Sequence, residues 1–212
     1  MNKKMRRVSL FVRFVPIVFL VLLLLIVVVP ACSRTPSPET QLANMITAHN
    51  RHDVVGELVF FAEDAVFAIP GQTPIVGKAA IRDLFEADSV MNSELIYTDL
   101  VVRGDTVIAN SVIERNDMLR LLGVPEIHYL PGTRVVFKKG LIQRIEVTRF
   151  LQEEWSAMRT DFSNLMAWLQ TAHPELLQDI RSGWLSRNTA RSAEAWLKLA
   201  SEWRESEANK GK

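Results

Sequence analysis

The chain has 212 residues, 48% of them hydrophobic, and 25 Lys or Arg stand against 24 Asp or Glu for a formal net charge of +1. Beyond the first thirteen residues there is no basic cluster, which argues against a nucleic-acid partner and against electrostatic capture by anionic lipid. The single cysteine, Cys32, excludes an intrachain disulfide and makes its own position informative.

Residues 1–13 carry Lys3, Lys4, Arg6, Arg7 and Arg13 with no acid, and residues 14–29 are apolar, interrupted only by Pro16. A spanning helix wants about 20 apolar residues, so this run fits the h-region of a secretory signal peptide. The stretch Val29-Pro30-Ala31-Cys32 resembles the lipobox of bacterial lipoproteins, in which an aliphatic residue and two small ones precede the cysteine. That resemblance implies a diacylglyceryl group on the Cys32 thiol, cleavage before it, and acylation of the new N-terminus with palmitate-class chains. Two or three acyl chains hold a protein on a membrane where one does so only marginally. Residues 1–31 are then a signal peptide, 32–38 a Pro- and Ser-rich tether, and the net charge without residues 1–31 is −4. With Ser33 rather than Asp after the cysteine, the resemblance points to the periplasmic face of the outer membrane more than the inner. An uncleaved helix anchor over residues 8–29, or a plain secreted protein with a free thiol, are the alternatives.

Residues 39–51 place Leu42, Met45, Ile46 and His49 at helical spacing. Asp53 is suited to cap a second short helix running to Phe60. Residues 66–69 read as a short strand closed by Pro70-Gly71, and Gly77-Lys78 opens a helix with Ile81, Leu84 and Phe85 on one face. Residues 94–103 and 106–115 form one hairpin, and 133–139 and 141–150 another, with glycine at each turn. The intervening 116–132 is too apolar for a solvated loop and reads as a lid or short helix.

Three pieces in this order carry a family resemblance: His52-Asp53, then Phe60-Phe61-Ala62-Glu63-Asp64-Ala65, then Gly77-Lys78 leading to Ile81 and Phe85. Residues 40–151 resemble the nuclear transport factor 2-like superfamily, especially its SnoaL-like members. The resemblance implies an α+β fold: a cone of curved antiparallel sheet packed with N-terminal helices, often with an apolar pocket at its mouth. Here the domain would span 39–151, followed by a C-terminal helical extension over 152–212. Pocket-lining candidates on this reading are Met45, Phe61, Phe67, Ile69, Phe85 and Tyr97.

The superfamily's ketosteroid-isomerase-like members place a catalytic aspartate before the proline that Pro70 matches, which falls on Ile69 here, and a tyrosine where Met45 stands. Neither residue transfers protons, so steroid-type isomerisation is not expected. Glu63 and Asp64 are adjacent carboxylates, for which a structural role at the strand is the simpler account. Asp99, Glu114, His128 and Arg149 would form a water-activating acid–base cluster if they converge; on the outer face of the sheet they would be ordinary cross-strand pairs. His49 and His52 have no third ligand at diagnostic spacing, and no phosphate loop or nucleophile elbow occurs, so no metal or cofactor is expected.

All five tryptophans lie in 152–212, and striped helices there read first as core packed on the sheet's convex or open face. A lid, a homodimer contact or a membrane-interface helix are sharper alternatives. The favoured function is a non-enzymatic, lipid-anchored module binding a small apolar ligand or an envelope protein. A cofactor-independent SnoaL-type hydrolase, dehydratase or isomerase is the alternative, and fold alone does not choose between them. Whether polar groups converge inside the cup does.

Overall fold

The computed structural model describes residues 36–210. Helix α1 (Pro38–His49) starts on the capping hydroxyl of Ser37, inside the stretch expected to be tether, and buries Leu42, Met45 and His49. Asp53 accepts the Gly56 amide at 2.8 Å and caps α2 (Val54–Leu58). Strand β1 (Phe61–Ala68) begins five residues earlier than the sequence pattern indicates, because a bulge between Phe61 and Val66 lets Glu63 and Asp64 face solvent and hides the alternation. A short β2 (Ile75–Val76) then leads through Gly77, at φ 90°, into α3 (Lys78–Val90).

The hairpin β3 (Glu94–Arg103) and β4 (Thr106–Arg115) has the expected limits. The apolar 116–132 segment holds α4 (Asp117–Leu121), capped by Asn116, and β5 (Ile127–Tyr129). Strands β6 (Thr133–Lys138) and β7 (Leu141–Glu146) complete one seven-stranded sheet of order β2-β1-β7-β6-β4-β3, with β5 also on β4. The expectation of a wholly antiparallel sheet needs one correction. The chain leaves β1, crosses through α3 and the β3–β6 meander, and returns as β7 running parallel to β1. Bulges in β1 and at Gln143 in β7, opposite Val136 and Phe137 of β6, bend the sheet around its helices.

The α+β core sits between the helices and the concave face. Leu42, Met45, Leu58, Ile81 and Phe85 from the helices meet Phe61, Val107, Val135, Phe137, Ile142 and Ile145 from the strands. Full burial of each large apolar side chain stabilises by roughly 1.5–3 kcal/mol.

Helices α5 (Gln152–Ala172), α6 (Leu177–Arg181) and α7 (Ala190–Lys210) follow. Their stripes build a second core of Leu165, Leu169, Leu199, Ala200 and Trp203 with Leu122. Contrary to packing on the sheet, α7 lies on α3 and α4, and Arg204 ties it down by bonding the Leu121 carbonyl and Asp161. Among the described residues no helix is long and apolar enough to cross a membrane. Cys32 and residues 8–29, on which the anchor expectations fall, lie outside the described residues.

Candidate functional site

The end of α1, α2, α3 and the concave face of β3, β4 and β5 surround a cavity of about 530 Å³, within the size range of small-molecule sites. Strand alternation explains which side chains enter it. Tyr97 pairs with Val112 and Val112 with Tyr129, a row across three strands that all line the cavity. Leu95 and Glu114, two residues along, form the next row on the same face.

The helical wall is organised by local geometry. His52, at φ 57°, turns the chain after α1, and Asn50 clamps that corner to β3 through two bonds with the Leu95 backbone, at 2.9 and 2.8 Å. With Asp53 capping α2, Glu57 lands beside His49, and the His49 Nδ1 lies 3.1 Å from the Glu57 carboxylate. Both are buried, at 4% and 2% exposure, and both line the cavity. His49 Nε2 is a buried polar atom without a hydrogen-bond partner among the described residues.

Burial pushes the His49 imidazole down, but the Glu57 hydrogen bond and the charges of Glu57, Asp88 and Glu114 outweigh it and leave the ring raised above its ordinary value. Burial likewise raises Glu57 against the bond from His49. Asp88, on α3, is half-buried and lines the cavity, and no side chain among the described residues bonds its carboxyl. Burial, with the Glu114 charge adding to it, pushes Asp88 up to about 8. Glu114 takes the Tyr129 hydroxyl at 2.6 Å on one oxygen and the Asn116 amide at 2.8 Å on the other. Burial foremost, then the Glu114 charge, raises both Tyr97 and Tyr129, so both phenols stay protonated as donors.

The four residues considered for an acid–base cluster do not converge. Glu114 and Arg149 line the cavity; Asp99 and His128 do not. His128 sits between Ile127 and Tyr129, so the period-two alternation turns it to the opposite face, where it bonds Glu154 at 2.6 Å. Asp99 adopts φ 52° and interrupts the β3–β4 ladder, leaving its side chain exposed. Met45, Phe67, Ile69, Phe85 and Tyr97 all line the cavity, whereas Phe61 stands behind Phe85, ring centroids 5.3 Å apart. Glu63 pairs on the surface with Lys78 at 3.2 Å, away from the cavity. His49, Glu57 and Asp88 are lining residues that the sequence pattern missed as site residues, whereas Tyr129 stood among its polar candidates. One signal for the first two was present: a histidine ending an amphipathic stripe and a glutamate four residues past a helix cap. No group of three or more His, Cys, Asp or Glu among the described residues could hold a metal ion.

Exposed lining residues mark the mouth: Pro70, Gly71 and Gln72 on one side, Arg149, Gln152 and Trp155 on the other. The first turn of α5 is thus part of the rim, and Glu154 anchors it by accepting bonds from the His128 amide and ring, both at 2.6 Å. Behind the rim, Phe150 stacks between Tyr129 and Trp155 at 4.8 and 5.9 Å.

No family model and no curated protein matches the chain. Solved structures resemble it at low identity. A nuclear transport factor 2-like protein of unknown function from Cytophaga hutchinsonii is 13% identical over 57% of this chain and 95% of its own, with a TM-score of 0.45. An epoxide hydrolase/cyclase-like enzyme of pyran ring formation in salinomycin is 16% identical over 55% and 92%, with a TM-score of 0.48. A steroid delta-isomerase from Pseudomonas aeruginosa is 19% identical over 64% and 95%, with a TM-score of 0.45.

Proposed function

We propose that the chain is a lipid-anchored cell-envelope module of nuclear transport factor 2-like build, whose cup binds a small, largely apolar molecule and moves a proton on it without a cofactor. The observation that carries this is the Glu57–His49 pair in the cavity wall with His49 Nε2 unpartnered. With Glu57 ionised, Nδ1 is the donor of their shared bond, and the carboxylate orients the ring as in other base–orienter pairs. Nε2 is then the atom that exchanges a proton with the bound molecule or with a water beside it. Hydrolysis, dehydration and isomerisation all reduce to such a transfer. Ligand binding without turnover is the second reading, favoured by the apolar Met45 and Ile69 where the resemblance would place a tyrosine and a base.

Native mass spectrometry of the full chain, purified in mild detergent from a bacterial host, tests this directly. The parent is expected to release a small molecule on denaturation, and His49→Gln to accumulate a different, unconverted species. The same molecule in both would mean a carrier, and none in either would remove the cup as a working site. For the anchor, Cys32→Ser is expected to abolish lipid labelling and detergent partitioning; persistent membrane association would favour the uncleaved helix.

A further inference from the structure

The charged wall of the cavity has one sign. Asp88 on α3 and Glu114 on β4 line it together, and Glu57 adds a third carboxyl, matched by His49. Glu114 is held by the neutral donors Tyr129 and Asn116, which satisfy its oxygens and leave its charge uncancelled. Among the described residues no side chain bonds the Asp88 carboxyl, and the Glu114 charge disfavours its ionisation. Among the lining residues the one Lys or Arg is Arg149, exposed at the mouth. A carboxyl set in an apolar wall is ionised more readily beside a cation.

The remaining wall is aromatic. Phe85, Tyr97, Tyr129, Phe150 and Trp155 surround the acids, with Tyr129, Phe150 and Trp155 in an unbroken series of ring contacts. Ring faces attract a desolvated cation and accept its apolar substituents equally well. His49 Nε2 supplies one further unpaired polar atom in the same wall. An anionic molecule would meet Asp88 and Glu114, with His49 the one cationic group in the inner wall and already paired with Glu57. A neutral one would leave Glu114 without a counter-charge and Asp88 in its protonated form.

We propose that the molecule this cup takes is a hydrophobic organic cation, an aryl- or alkylamine whose nitrogen lies between Asp88 and Glu114 and whose apolar body fills the ring-lined space. The inference rests on the reading above that the cavity takes a ligand, and it names the class. The groups facing Asp88 are Glu114 from β4, His49 from α1, Glu57 from α2, and the phenols Tyr97 and Tyr129 from β3 and β5. Of these only His49 carries positive charge, and Glu57 offsets it. Amine binding therefore draws the proton off Asp88 and strengthens from pH 6 to pH 8.

The test compares three probes of one shape, 3-phenylpropylamine, 3-phenylpropanol and 3-phenylpropanoate, by calorimetry on the full chain in non-ionic detergent. The amine is expected to bind at least tenfold more tightly than the alcohol at pH 8, with no binding of the carboxylate. Asp88→Asn and Glu114→Gln, near-isosteric changes, are each expected to weaken the amine at least tenfold and the alcohol less than twofold. The probe series needs no variant, so a misfolded variant does not blunt it. Alcohol binding equal to or tighter than the amine overturns the cation and leaves the cup intact. Binding of none of the three, with nothing carried in native mass spectrometry, overturns both.

Discussion

Asp88 is the residue whose ionisation the fold opposes most clearly. In the unfolded chain its carboxyl releases its proton near 3.8, in the folded chain near 8. Between those values the folded state holds a proton that the unfolded state has lost, so this group's contribution makes stability fall as pH rises. The slope approaches roughly 1.4 kcal/mol per pH unit for a fully shifted single group. Asp88→Asn is expected to flatten the pH dependence and to be more stable than the parent at pH 8, which urea unfolding at pH 5, 6.5 and 8 measures. Equal slopes would mean that Asp88 ionises freely in the native state. At this scale the sequence was least legible. Asp99 and Asp88 look alike in sequence, and only a left-handed residue in a strand and a helix's rotation against a sheet separate the exposed one from the one that lines the cavity. Glu57 and His49 belong to different helices, and their meeting depends on the turn at His52.

At the scale of elements, periodicity served well wherever one face was buried and one was wet. The β3–β4 hairpin emerged at its observed limits because glycine and alternation agreed there. The β1 bulge broke that agreement and concealed half the strand. The direction of β7 against β1 was invisible, since parallel pairing is a property of the crossover and not of either strand. The α5–α7 stripes were readable as apolar faces, but what they pack on was not. Trp203 is 2% exposed in the second core, so Trp203→Ala is expected to cost about 3–5 kcal/mol, measured by denaturant midpoint. Ending the chain after Leu151 strips the partners from Leu122, and the shortened protein is expected to aggregate rather than persist as a soluble cone. A soluble, cooperatively folded fragment would instead make the extension an accessory. Glu154→Gln removes the charge that holds α5 to the His128 amide and ring. The cost is expected to be about 1 kcal/mol at this half-exposed site, with hydrogen exchange accelerated in residues 152–158 and unchanged in β4.

For the whole molecule, the apolar core and the polar lining of the cavity share one curved sheet, with Met45, Phe85 and Ile145 common to both. The core holds Phe61, Ile81 and Ile142 in close packing, and the cavity lined by Asp88 and Glu114 opens between the Pro70–Gln72 loop and the start of α5. The α+β class and its curved sheet followed from ordered strand and helix signals, while the cavity's polar content required α1, α2, α3 and three strands to be brought together. The rim has a kinetic meaning as well. One edge of the doorway is a helix turn held to β5 by Glu154 and by the Leu151 amide on the His128 carbonyl, whereas Tyr97, Val112 and Tyr129 are fixed by the sheet. If the cup binds as proposed, loosening Glu154 is expected to change how fast a guest enters and leaves more than it changes equilibrium occupancy. On that proposal, entry and exit are set at the rim and recognition at the carboxyl-bearing wall.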